Sequence, residues 1–220
     1  MGMSKVNEKA PELTVNCWAQ GEPSTLEKER GKVILIKAFQ VNCPGCFIHG
    51  FPEVIDIYNK YRDQPLVIWG LATAFEDFDK NNLENLNKLL SSGEVIGETL
   101  AAMTQANLLN YNRLHYTIPF PVAWDKLEMN PTEISADRIQ KIIHRDIEGY
   151  DSLPEKTQAL IVNQVRAYLQ QKKYDAQTFE AYGLHGTPSS ILIDKKGILR
   201  HKRFGSEQGL EENLKLLLNE

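Results

Sequence analysis

Cys43-Pro44-Gly45-Cys46 places two sulfurs where they could do chemistry. Thiols at this spacing can close a small disulfide ring, supply half of a zinc site, or do nothing, and context decides between these readings. Upstream, Val33 to Phe39 (VILIKAF) is a short apolar run ending just before Asn42-Cys43, which predicts a central strand buried on both faces. Downstream, Pro44 suits a first helical position, and Ile48, Phe51, Val54, Ile55 and Tyr58 recur at helical spacing. Cys43 is therefore expected at a helix N-terminus, where unpaired N–H groups and the helix dipole stabilise a thiolate and make it the nucleophile. Cys46, one turn further in, is expected to be shielded and to resolve the mixed disulfide formed by Cys43, which is thiol-disulfide exchange in two steps.

A metal reading fares worse. Cys17, His49 and His185 are the further donors to consider, but they form no second close pair, so no closed tetrahedral site is expected. Phe47 stands where covalent haem attachment needs histidine, and three cysteines cannot hold a four-thiolate cluster. No cofactor is expected. Cys17 reads as a small hydrophobe of the first strand, and His49 and His185 as surface histidines. Trp18, Trp69 and Trp124 read as core.

The elements that must position the cysteines follow from the hydrophobic pattern. Residues 13 to 18 predict a strand, as do Leu66 to Ala72, Pro121 to Asp125, Ser189 to Asp194 and Ile198 to Phe204, the last two joined by an Asp194-Lys-Lys-Gly197 hairpin. Val33 to Phe39, the helix after Cys43 and Leu66 to Ala72 form a strand-helix-strand unit that should be parallel. Leucines 83, 86, 89 and 90 line one helix, Val95, Thr99 and Met103 a second, and leucines 210, 214, 217 and 218 a closing one. An Asn- and Tyr-rich stretch up to Pro119 reads as loop. Ile139, Ile142, Ile143 and Ile147 form one stripe and Ile161, Val165 and Leu169 another, the second starting from a Ser152-Leu-Pro-Glu155 capping box.

A second motif completes the case: Tyr182 to Gly197 (YGLHGTPSSILIDKKG) puts Thr187-Pro188 at the start of a strand. Together with CPGC behind a buried strand, this resembles the TlpA-like branch of thiol-disulfide oxidoreductases in the thioredoxin-like superfamily, loosely over Pro11 to Asp125 and well over Tyr182 to Leu218. The resemblance implies an α/β thioredoxin-like fold: a central mixed β-sheet flanked by helices, with extra N-terminal strands. It also implies catalytic Cys43 and Cys46, a cis Pro188 beside them, and Gly186, Thr187 and Pro188 as the substrate-binding segment, with the Thr187 backbone pairing with an extended substrate. The expected organisation is one domain over 1–220 with a helical insertion at about 126–183 that sets partner choice.

Three departures stand out. Asn42 precedes the first cysteine where the family usually has an aromatic or threonine-like residue. Lys37 stands six positions before Cys43, where thioredoxins carry a buried acid. A strand lysine is expected to pack its stem and extend its amine to water, although its charge could favour the Cys43 thiolate. Pro52 falls one position later than the family's helix proline, which suggests a local bulge or a shifted kink.

Composition narrows the function. The chain of 220 residues has 25 Lys plus Arg against 29 Asp plus Glu, a net charge of −4, so nucleic acid is a poor partner. With a mean hydropathy of −0.38 and no apolar run of membrane length, no membrane association is expected. Met1 to Leu13 has no apolar segment of a secretory signal, which favours the cytoplasm, with the periplasm as the alternative should a leader have preceded it. The expected activity is exchange of the Cys43/Cys46 dithiol with protein or small-molecule disulfides, as a reductase recharged by an upstream redox partner. One alternative is a peroxiredoxin-like peroxide reductase, although Ile36 and Gln40 stand where its Pro-x-x-x-Thr-x-x-Cys setting needs proline and threonine. The other is a non-catalytic metal- or partner-binding module.

Overall fold

The structure is a computed structural model describing residues 4–131, 133–205 and 209–220. It divides into two compact units, residues 1–127 with 176–220, and residues 128–175.

The first unit is built on a six-stranded sheet. Its strands are β1 (Val15–Gln20), β2 (Val33–Phe39), β3 (Leu66–Ala72), β6 (Val122–Asp125), β9 (Ser189–Ile193) and β10 (Leu199–Phe204), in the order β1-β6-β3-β2-β9-β10. β3 pairs parallel with β2 and with β6, while β1, β9 and β10 pair antiparallel, so the sheet is mixed as expected. The helices are α1 (Phe51–Tyr61), α2 (Leu83–Ser92), α3 (Gly97–Gln105), α6 (Gln177–Ala181) and α7 (Leu210–Asn219). The stretch read as loop before Pro119 contains a small hairpin of β4 (Leu109–Asn110) and β5 (Arg113–Leu114).

β2 is buried along its whole length, and its side chains alternate between two cores. Val33, Leu35 and Phe39 join Phe51, Val54 and Ile57 of α1 and Leu210, Leu214 and Leu217 of α7. Ile34, Ile36 and Ala38 join Trp69, Ile191 and Ile193 with Phe179 and Tyr182. By this alternation Lys37 belongs to the α1 and α7 face.

The second unit is helical, with α4 (Ala136–Asp146) and α5 (Glu155–Gln171) packing Ile139, Ile143, Tyr150 and Leu169 into their own small core. β7 (Leu127–Met129) and β8 (Tyr174–Ala176) pair with each other. Of the range 126–183 read as an insertion, residues 126–127 and 176–183 belong to the first unit, where Phe179 and Tyr182 are core residues. The Ser152 capping box does not form. α5 begins at Glu155 with Pro154 at its N-cap and no side-chain cap bond, because Leu153 precedes proline and is held extended at φ −77°, ψ 152°.

Candidate active site

The site lies at the exit of β2. Cys43 precedes the first helical residue, Pro44, and Cys46 opens a π-helical turn over Cys46–Gly50 that runs into α1. A π turn holds one residue more than the α-helix it interrupts. That extra residue accounts for the late Pro52: the chain bulges between the second cysteine and the proline. Cys43 and Cys46 are joined by a disulfide, with Cα atoms 5.4 Å apart. They are not equivalent, since Cys43 is 8% exposed and Cys46 0%.

The partner segment comes from the start of β9. The Thr187–Pro188 bond is cis, and the Thr187 carbonyl oxygen lies 3.5 Å from Cys43 Sγ. The loop is held from both sides: Ser189 Oγ donates to the Gly186 carbonyl at 2.7 Å, and the Gly205 N–H donates to the Pro188 carbonyl at 2.7 Å. Pro188 also packs on the cysteine turn, its Cδ lying 3.7 Å from where a Cβ on Gly45 would stand. The ring of Phe204, which is largely exposed, lies against Gly186 and occupies the position of a side chain there.

Asn42 is a structural tie. It is buried, its N–H donates to Asn81 Oδ1 at 2.8 Å, its Nδ2 donates to Asp77 Oδ2 at 2.8 Å, and its Oδ1 accepts from the Glu98 N–H at 2.7 Å. Gly97, at φ 56°, is needed beside it because a Cβ would collide with Asn42 Oδ1. The residue before the first cysteine therefore ties the loop between β3 and α2 to the first turn of α3.

Lys37 corrects an expectation: its amine does not extend to water, because the side chain is only 1% exposed. Nζ donates to Ser190 Oγ at 2.9 Å and lies 3.7 Å from Glu53 Oε2, on the first turn of α1. Burial pushes the Lys37 ammonium toward its neutral form and the Glu53 carboxyl upward, and each charge partly offsets the shift of the other. The lysine stem fills the space behind the cysteine turn, with Cε 2.9 Å from where a Cβ on Gly50 would stand. Glu53, Ser190 and Gly50 were not singled out in the sequence. The available signal was a lysine within an otherwise apolar, doubly buried strand, which demands an acidic or hydroxyl partner.

The other candidates stay apart from this geometry. Cys17 is a free, partly buried thiol paired across from Trp124 in the sheet, and His49 and His185 are exposed. Among the described residues no group of three or more His, Cys, Asp or Glu is placed to hold a metal ion, and no helix is long and apolar enough to cross a membrane.

No protein-family model and no curated protein matches the chain. Solved structures do. A thioredoxin-like superfamily protein, SPOA0173, is 27% identical with a TM-score of 0.58, each chain being 97% covered. A thiol-disulfide isomerase from Corynebacterium glutamicum is 26% identical with a TM-score of 0.57, over 97% of this chain and 98% of that one. A thioredoxin-like protein solved in its oxidized form shares the fold at 19% identity and a TM-score of 0.55, over 98% of this chain and 97% of that one. With its mixed six-stranded sheet and a CxxC disulfide at the start of a helix, the chain belongs to the thioredoxin-like thiol-disulfide oxidoreductases, as its TlpA-like sequence features implied.

Proposed function

We propose that the protein is a dithiol reductase of disulfide-containing substrates, working in a reducing compartment such as the cytoplasm. The observation that carries the exchange roles is the asymmetry of the pair: Cys43 Sγ faces the Thr187 carbonyl at 3.5 Å, while Cys46 is fully buried; the reducing direction is the one a thiol-reducing compartment would impose. In the reduced enzyme the Cys43 thiolate attacks a substrate disulfide whose extended segment lies along Gly186, Thr187 and Pro188. One substrate sulfur leaves as thiolate and takes a proton from solvent. Cys46 then loses its proton, attacks Cys43 Sγ, closes the Cys43–Cys46 disulfide and releases the second substrate sulfur. An upstream dithiol donor restores the reduced form.

The test has two arms. Cys46→Ser should accumulate mixed disulfides with client proteins, and Cys43→Ser should abolish exchange; undiminished exchange by both variants would overturn the assigned roles. Equilibration against graded glutathione buffers, with thiols counted by alkylation and mass, gives the direction. A potential toward about −270 mV supports a reductase, and one toward about −120 mV makes the protein an oxidant.

A further inference from the structure

Tyr111 breaks two local rules at once. It is 93% exposed, an aromatic side chain almost wholly in water. Its backbone is left-handed, at φ 58°. Among the described residues the other non-glycine residues with positive φ are Asn7, Asp77 and Asn107, and short Asn and Asp side chains tolerate a conformation that strains a bulky one. Asn110 pairs with Arg113 across the β4–β5 hairpin, so Tyr111 and Asn112 form a two-residue loop whose first position suits glycine. Neither packing nor turn chemistry asks for tyrosine here, and local rules broken in this way gather at functional sites.

The hairpin is braced. The Val95 N–H donates to the Asn112 carbonyl at 3.1 Å and the Leu114 N–H to the Gly93 carbonyl at 2.8 Å, so the chain leaving α2 lies paired against β5. Beside Tyr111 an open groove of about 730 Å³ is lined by Ser92, Glu94, Asn110, Asn112 and Arg113. Its guanidinium and its carboxylate leave the groove without net charge, and its two amides each donate and accept, which suits an uncharged peptide segment better than an anion.

The same segment is tied to the cysteine loop. Thr99 Oγ1 donates to the Val41 carbonyl at 2.9 Å, and the Tyr116 hydroxyl to the Phe47 carbonyl at 2.8 Å. From Tyr116 to Tyr111 the chain can reach at most about 18 Å. A protein interface of standard size covers about 800 Å² of each partner, a patch roughly 30 Å across, so a protein engaged at Cys43 is large enough to reach the groove as well.

We propose that the β4–β5 hairpin is a docking surface for protein disulfide substrates, with Tyr111 as its apolar anchor and an uncharged segment of the substrate protein in the groove. This deepens the exchange reading above and rests on it.

The test follows exchange by the pre-reduced full chain with insulin and with oxidised glutathione, each over a range of concentrations, with thiols trapped by alkylation. Tyr111→Asn, whose side chain tolerates the left-handed backbone, should raise the half-saturating insulin concentration about tenfold, as loss of an aromatic anchor does, while the maximal rate is kept. Exchange with glutathione should not change, and Tyr111→Phe should stay near the parent on both. No loss on insulin overturns the proposal. Equal losses on both disulfides also overturn it, since they mark a disturbed cysteine turn. Sedimentation of parent and variant covers the other occupant: a dimer that Tyr111→Asn dissolves puts a second copy on the hairpin and overturns the substrate role. A parent that exchanges with neither disulfide overturns the exchange reading and this proposal with it, whereas a parent active on both and indifferent to Tyr111 overturns this inference alone.

Discussion

Tyr116 donates its hydroxyl hydrogen to the carbonyl oxygen of Phe47 at 2.8 Å. The bond answers a need created by the π turn. The Phe51 N–H bonds the Cys46 carbonyl, and the next residue, Pro52, has no N–H to offer the Phe47 carbonyl. Phe47 is itself fully buried, packing its ring 6.3 Å from Phe39 and 5.2 Å from Phe51. A side chain nearly seventy positions away therefore completes the backbone bonding of the segment that carries Cys46.

Tyr116→Phe should lower the unfolding free energy of the oxidised protein by about 1 to 3 kcal/mol, since it leaves a buried carbonyl without a partner. Urea unfolding of parent and variant measures this. A loss well below that range would mean that the carbonyl finds another donor.

Asn42→Ala should cost more, about 2 to 4 kcal/mol, because it strands the Glu98 N–H and unpairs Asp77. Asn42→Asp keeps the acceptor for Glu98 but sets a carboxylate against Asp77, so it should not restore stability. Denaturant midpoints of the two variants check this, and recovery by aspartate would contradict the tie described above.

What was legible in the sequence was what short-range pattern encodes. β2 and β3 read to the residue because unbroken apolar runs bounded by turn residues have few alternatives. Cys43, Cys46, Thr187 and Pro188 stood out by motif, and the structure brings Cys43 Sγ to 3.5 Å from the Thr187 carbonyl; the late Pro52 suggested a bulge or a shifted kink, and a π turn precedes it. What pattern could not give was partnership across the chain: Lys37 with Glu53 and Ser190, Asn42 with Asp77 and Glu98, and Tyr116 with Phe47. Those pairings exist only once the sheet order is set. Ser152 failed differently, since the capping motif matched but the proline inside it held the preceding residue out of the helix.

Gly50→Ala tests how closely the lysine and the cis-proline loop pack on the cysteine turn. Its Cβ would stand 2.9 Å from Lys37 Cε and 3.1 Å from Pro188 Cβ, and Lys37 is enclosed by β9 and α1. Overpacking of this kind should cost about 1 to 3 kcal/mol. Exchange should also slow, because the clash is relieved by moving Pro188 or Lys37. Gly45→Ala, whose Cβ would meet Pro188 Cδ at an ordinary 3.7 Å, should be milder in both respects. Unfolding and stopped-flow exchange compare the two, and equal effects would sink the packing argument.

Asp125 gives the protein a pH dependence of definite sign. It is fully buried at the end of β6, where its carboxylate accepts from Thr73 Oγ1 at 2.9 Å, the Thr178 N–H at 2.8 Å and the Phe179 N–H at 3.1 Å. Burial outweighs these bonds and raises its pKa from 3.8 to about 6. Between those values the folded chain holds a proton that the unfolded chain has released. The stability from this group is thus fully present below pH 3.8 and is lost as pH rises through about 6, by an amount on the order of 2 to 3 kcal/mol. Asp125→Asn does not titrate, although its amide cannot accept from all three donors, so the variant should be less stable but flatter across this range. Subtracting its unfolding free energy from that of the parent, pH by pH, cancels the other carboxylates. The difference should fall as pH rises from 4 to 6 and then level. A rising difference would mean that the hydrogen bonds outweigh burial and that Asp125 is held ionised to tie β6 to α6.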